Sequence, residues 1–278
     1  MHCRSSIATI ALALVLGMAI AEAYAFDESK YPDLKGQWHR IGPPRWDPQD
    51  RNYQNAPLTS EYRDIYEANL KEQEAGGQGT DPTYTCLSPG MPRIMNVYDP
   101  MEIVVTPDTT HILIEHIHDS RRIHTDGRQW PAEVEPSFRG YTIGTWEDTD
   151  GDGRYDTLVA ETRHIKGPRS YDSSGLPLHE DNGTVIKERI YLDKSNADFL
   201  FDEITVIDNA LTRPWTVVKK YRRDRTPFPI WREAVCAENN NHVAIGKENY
   251  FVSADGLLMP TRTGQPAPDL KYFKSMQK

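Results

Sequence analysis

The stretch "YTIGTWEDTDGDGRYDTLVAET", residues 141–162, decides the fold. Its two ends are short runs rich in β-branched and aromatic residues, and its middle is an Asp-Gly turn, the signature of a β-hairpin. Working outward, the same pattern recurs in "MEIVVT" (101–106), "HILIEHIH" (111–118), "RRIHT" (121–125), "TVIKERIYL" (184–192), "FLFDEITVID" (199–208) and "WTVVKKYRR" (215–223). Turn-forming pieces such as "PDTT", "DGR" and "KSNAD" separate these runs, and no helical pattern intervenes. This predicts an all-β fold, mainly an antiparallel meander. A sheet of eight or more such strands curls or splits, and the closed, barrel-like (lipocalin-like) solution is the one expected.

One helix is predicted over about 59–75, in "TSEYRDIYEANLKEQEAGG". Thr59 or Ser60 offers an N-cap, Tyr62, Ile65, Tyr66 and Leu70 form a narrow apolar stripe, and Gly76-Gly77 ends it. Such a helix lies on the surface of something larger, outside the barrel or over one end. Residues 26–57 are rich in Pro, Asp and Trp and show neither period, so an extended surface path anchored by Trp38 and Trp46 is expected. The sheet is expected over about 101–253, within one domain spanning 26–278.

The chain opens on a short basic start, the apolar run "IATIALALVLGMAIA" and the small-x-small sequence Ala23-Tyr24-Ala25. This reads as a cleaved export signal over residues 1–25, with Ala21-Glu22-Ala23 as the alternative cleavage site. The run is short for a membrane span, no second long apolar stretch follows, and Cys3 has no lipobox around it. A periplasmic or secreted protein without a membrane span is therefore expected. The formal net charge of -9 argues against nucleic acid or an anionic membrane as the main partner. Cys86 and Cys236 remain after export, and two cysteines in an oxidising compartment predict one disulfide. It would close a loop of about 150 residues, worth roughly 5 kcal/mol at most in the chain-entropy model. A redox pair is disfavoured because no C-x-x-C motif is present.

The most specific motif is "DTDGDGRYD", residues 148–156. Asp148, Asp150, Asp152 and Asp156 fall at positions one, three, five and nine of a calcium loop. Gly153 sits at the sharp-turn position, and Arg154 is placed to offer its carbonyl. Position twelve is Val159 where a bidentate Glu is usual, so a weak, structural calcium site is expected, and a solvated Asp-Gly turn is the plainer reading.

In "HILIEHIHDSRRIHTDGR" (111–128), His116 and His118 share a strand face, roughly 6–7 Å apart, while His111 has the other parity. With Asp119-Ser120 as a two-residue hairpin loop, His118 faces Arg121 and His116 faces Ile123, so no third metal ligand appears. The same register sets Glu115 opposite His124 and beside Arg122, a cluster able to act as acid, base and oxyanion partner. An ordinary cross-strand ion pair uses the same residues without any ligand. Arg93, in "CLSPGMPRIMN", is placed to guard a cavity mouth, and "CAENNNH" (236–242) gathers Glu238, Asn239, Asn240, Asn241 and His242 as possible hydrogen-bond partners. No G-x-S-x-G elbow, phosphate loop, dinucleotide fingerprint or H-E-x-x-H motif occurs in the sequence.

The segments "CLSPGMPRIMN", "RRIHTDGRQWPAE", "GYTIGTWE" followed by "DTLVAET", "ERIYLDK", "ITVIDNALTRPWTV" and "VCAENN" together resemble a family of exported bacterial β-rich proteins of uncharacterised function. The resemblance implies that the acidic stretch is an insertion in this branch and that the histidines vary. It shifts interest to Arg121, Arg122, Asp126 and Arg128. The leading expectation is a barrel that binds a small organic molecule in a cavity lined by Tyr, Trp and Arg, with Arg93, Arg121, Asp126, Arg128 and Trp146 as candidate contacts. The alternatives are a lyase, isomerase or hydratase using Glu115, His124 and Arg122, or a structural or interaction module of the cell envelope.

Overall fold

A computed structural model describes residues 26–50, 55–116, 119–233, 235–236, 241–246 and 248–269. The expected export signal (1–25), His118 and the Glu238–Asn240 run lie outside the described residues. Nine strands form a closed barrel: β1 (Gln37–Ile41), β2 (Met101–Val105), β3 (Thr109–Ile114), β4 (Asp119–His124), β5 (Tyr141–Glu147), β6 (Thr157–Arg163), β7 (Val185–Leu192), β8 (Phe199–Ile207) and β9 (Trp215–Arg223). Neighbours in sequence are neighbours in space, and β1 closes the ring against β9.

A ring of nine cannot alternate direction all the way round, so one neighbouring pair has to run parallel. That pair is β4 and β5, with Ile123 opposite Thr142 and His124 opposite Ile143. A parallel pair needs a long connection, which is why residues 125–140 separate these two strands while the β2–β3 hairpin is short. The meander expected from the sequence is thus antiparallel except at this seam. Gly144 lies on β5 beside it, where an added Cβ would come within 2.6 Å of Ile123 Cγ2 and 3.1 Å of the Val159 carbonyl.

Period-two burial sets the inside of the barrel. Met101 and Ile103, Ile112 and Ile114, Leu158 and Ala160, Ile186 and Ile190, Leu200 and Ile204, and Val217 and Tyr221 are all buried, while their neighbours along each strand are more open.

Residues 26–57 depart from the expected surface path. They contribute β1, and Trp38 and Trp46 are fully buried. The Trp38 indole donates to the Leu34 carbonyl at 3.0 Å, and Trp46 stands against Tyr171 and Trp215 (ring centroids 5.2 and 6.4 Å). The helix α1 (Ser60–Glu74) starts at Thr59, whose hydroxyl accepts from the Tyr62 N–H. It lies over one end of the barrel, tied to the β6–β7 connection by Tyr66 Oη and Asn69 Nδ2 on Ser174 (2.8 and 2.6 Å). Ile65, expected on its buried stripe, is exposed, and Asn69 is buried in its place.

Beyond β9 the chain leaves the barrel. The strands β10 (His242–Ile245), β11 (Glu248–Val252) and β12 (Leu258–Pro260) form a separate three-stranded sheet, so the expected single sheet to residue 253 is two sheets. The Cys86–Cys236 disulfide is present and fastens the segment leading to that sheet.

Candidate functional site

The barrel interior carries a charged core that the hydrophobic pattern did not announce. Arg121 of β4 donates to both Glu188 oxygens on β7 at 2.9 and 2.6 Å, with both side chains almost wholly buried. Its Nη2 also reaches Thr162 Oγ1 at 3.5 Å, and Thr162 pairs with Thr142 at 2.8 Å. Burial works against charge on Arg121, but Glu188 more than offsets it and holds the guanidinium pKa above its ordinary value.

Asp202 on β8 faces Lys219 on β9 in register. Both Asp202 oxygens are buried and have no hydrogen-bond partner. Burial, aided by the nearby Glu188 charge, pushes its carboxyl pKa well above the usual range. The Lys219 ammonium instead donates to the Trp46 and Arg45 carbonyls and to Asn96 Oδ1, 4.3 Å from the Trp46 ring centre. Burial, followed by the neighbouring Arg40 charge, lowers its pKa to about 7. Together these groups and the apolar rows occupy the interior. The clefts beside Tyr191, beside Phe251 and beside Lys35 are lined by residues other than this network.

The expected hairpin cluster is not assembled. The true register sets His124 opposite Thr109, His111 opposite Arg122 and Ile114 opposite Asp119, so Asp119 and Ser120 belong to β4 and are not the turn. Glu115 therefore lies beyond the end of β3, with Oε1 3.5 Å from Arg232 Nε, while His124 ends the other extremity of the hairpin. Arg122 points to solvent, and His124 stacks on Tyr141 at 4.9 Å on the outer face. Burial and the Arg128 charge lower the His124 pKa. His116 is taken by Asp99, Nδ1 to Oδ2 at 2.6 Å.

The other sequence candidates also have structural partners. Arg93 clasps Asp81 and reaches Ser170 Oγ and Thr83 Oγ1 at 2.9 and 3.2 Å. Asp126 and Arg128 close on each other within one turn, and this bond brings the exposed Asp126 carboxyl down to about 2. Trp146 points inward, its indole donating to Thr110 Oγ1 at 3.1 Å beneath Tyr31. His242 sits between Gln78 and Asn249, 2.9 Å from each.

What the structure does bring together is the acidic loop between β5 and β6. Asp148 accepts from the backbone N–H groups of Gly151 (2.7 Å), Asp152 (3.2 Å) and Gly153 (2.9 Å), which winds the chain tightly. Gly151 and Gly153 supply the positive φ angles of +76° and +89° that this winding requires. Asp148, Asp150 and Asp156 offer oxygens all within 4.8 Å of one another, a set that could hold a metal ion. Asp152 is turned away, accepting from the Arg154 N–H at 2.8 Å. Lys194, from the β7–β8 turn, sets its ammonium 2.9 Å from Asp150 and 4.0 Å from Asp156.

The loop walls a cleft of about 420 Å³ whose apolar side is Pro32, Tyr155, Tyr191 and Leu192, and whose polar side includes Asp150, Asp152, Asp156, Arg154, Arg189 and Lys194. The Tyr155 N–H donates to the Lys30 carbonyl at 2.8 Å, so the N-terminal strap forms part of the same wall. No helix among the described residues is long and apolar enough to cross a membrane.

Fold and site define a closed β-barrel with an ionic core and an acid-walled cleft on its outside. No family model matches the chain, and no curated protein matches it.

Proposed function

We propose that this is an exported, calcium-braced barrel that binds a small organic molecule in the outer cleft beside the acidic loop. The observation that carries the reading is the convergence of Asp148, Asp150 and Asp156 in the wall of a cleft with an aromatic floor. Hard carboxylate oxygens at this spacing suit calcium. With Asp152 turned away and Val159 at position twelve, the ligand set is incomplete, and the affinity belongs in the millimolar range found outside the cytoplasm. Calcium there would displace Lys194 and fix the strap and the loop as one wall. Tyr155 and Tyr191 would then stack on the ligand's apolar body, with Arg189 and the released Lys194 available to its polar end.

The test has two arms. Metal analysis after dialysis against millimolar calcium should return about one ion per chain, and 5 mM calcium should add about 1–2 kcal/mol of stability, a few degrees in Tm. Asp150→Asn should remove both effects, and a Tm indifferent to calcium and chelator would refute the metal. Native mass spectrometry against aromatic acids, terpenoids and sterols tests the ligand. Retention of a hit by Tyr191→Ala at unchanged affinity would refute the cleft.

A further inference from the structure

We infer that the barrel builds a covalent cross-link of its own: the Lys219 amine attacks the Asn96 side-chain amide and forms an isopeptide bond with loss of ammonia, Asp202 relaying the proton. Lys219 points inward from β9, and Asn96 ends the short 3-10 turn Arg93–Asn96 ahead of β2. The Nζ lies 3.0 Å from Asn96 Oδ1, and the amide is pinned at its other end, where Asn96 Nδ2 donates to the Pro44 carbonyl at 3.1 Å. The Cγ to be attacked is bonded to the oxygen that Nζ already touches, so the two atoms meet without a search. Tyr221, two residues from Lys219 on the same face of β9, donates to the Met95 carbonyl and fixes the backbone next to Asn96.

An amine attacks a carboxamide when it is unprotonated, when a proton reaches the departing nitrogen and when water is kept out. Lys219 and Asn96 are 1% and 5% exposed, and the buried Trp46 ring lies 4.3 Å from Nζ. Burial, followed by the Arg40 charge, lowers the Lys219 pKa to about 7, which brings the free amine within reach near neutral pH. Asp202 is the cross-strand partner of Lys219, so both side chains leave the same face of the sheet, with Cβ atoms about 5 Å apart. Neither Asp202 oxygen is hydrogen-bonded, so no partner is given up when the carboxyl turns to the amide, and burial favours its protonated form. In the step the Nζ–Cγ bond forms and the Cγ–Nδ2 bond breaks. Asp202 hands its proton to Nδ2 and takes one from Nζ, so the carboxyl is regenerated and ammonia leaves, with no further reactant. Titration of Lys219 belongs to the chain before this bond forms. The bond would close a loop of 123 residues that holds all of β2 to β8, and a reductant able to open Cys86–Cys236 would leave it intact.

The test is the intact mass of the purified full chain with its disulfide reduced. The chain should be lighter than its sequence by one ammonia, about 17 Da, and proteolysis should release a single branched peptide joining Asn96 to Lys219. On a reducing, denaturing gel the closed loop should make the wild type run ahead of Lys219→Met and Asn96→Ala, both of which should carry the full mass. Asp202→Asn keeps both reacting side chains and should leave at least about tenfold more of the chain unlinked. A lysine that only anchors the carbonyls around it leaves the wild type at full mass, so that measurement decides whether or not a variant folds. A wild type of full mass, an ammonia loss located elsewhere, as in a succinimide at Asn182-Gly183, or an Asp202→Asn chain linked as completely as the wild type would each overturn the inference.

Discussion

Burial of Asp202 without a partner makes one side chain a measurable debt in the stability of the barrel. Its folded pKa lies above the ~3.9 of an unfolded chain, so its favourable contribution is complete below about pH 4 and is lost as pH rises through the raised value. Lys219 has the opposite sign of shift: its contribution is complete above about pH 10.4 and is lost as pH falls through about 7. Asp202→Asn removes the first effect, and its stability relative to wild type should rise as pH increases from about 4, as read by urea unfolding at each pH. Arg121→Met leaves Glu188 charged and unpaired and should cost about 3–5 kcal/mol, while the double variant with Glu188→Leu recovers most of that. Denaturation midpoints of the three proteins check the pair. The ionic core was not legible in the sequence: Arg121 was singled out as a candidate contact for a bound ligand, whereas it is spent on Glu188, and Glu188, Asp202 and Lys219 looked like ordinary polar positions. An inward parity on β4, β7, β8 and β9 was the available signal, since Arg121, Glu188, Asp202 and Lys219 each alternate with residues that face out.

Elements were more legible than side-chain partners. The eight runs with period two fall on β2 to β9, because alternation and turn residues are local properties. The hairpin of β3 and β4 shows the limit. A turn placed three residues too late moved Glu115, Arg122 and His124 into a cluster, whereas the observed register sends Glu115 beyond the end of β3 and His124 to the far end. The strand β1 was missed for a related reason: five residues amid prolines carry no period, and only closure against β9 gives them a partner. At the parallel seam Gly144 has no room for a methyl group, so Gly144→Ala should destabilise by about 1–3 kcal/mol through displacement of Ile123. Chemical denaturation, with circular dichroism showing the strand content unchanged, would check it.

Across the whole molecule, topology and charge have to be read together. Nine strands force one parallel seam, and the connection at 125–140 is the chain length that this seam requires. The net charge of -9 is a sum, and it conceals the ionic core inside. The Cys86–Cys236 bond spans 150 residues that include β2 to β9, so it constrains both the barrel and the appended sheet. The paired change of both cysteines to serine should cost about 2–5 kcal/mol and open the 224–241 segment to protease first. Melting curves and the mass of the first proteolytic fragment would report the two effects separately.

The sequence by itself determined the β class, the run of eight strands, the helix, the disulfide pairing by elimination, and a loop in which four aspartates crowd into nine residues. These are decided within a dozen residues or by counting, so no long-range contact is needed to read them. Tertiary structure alone decided the ninth strand, the parallel seam, the register of the β3–β4 hairpin and the placing of Arg121, Glu188, Asp202 and Lys219 inside the barrel. It also decided that the cleft lies outside the wall. Each of those depends on which strand lies beside which, and closure of a ring is a property that no single segment carries.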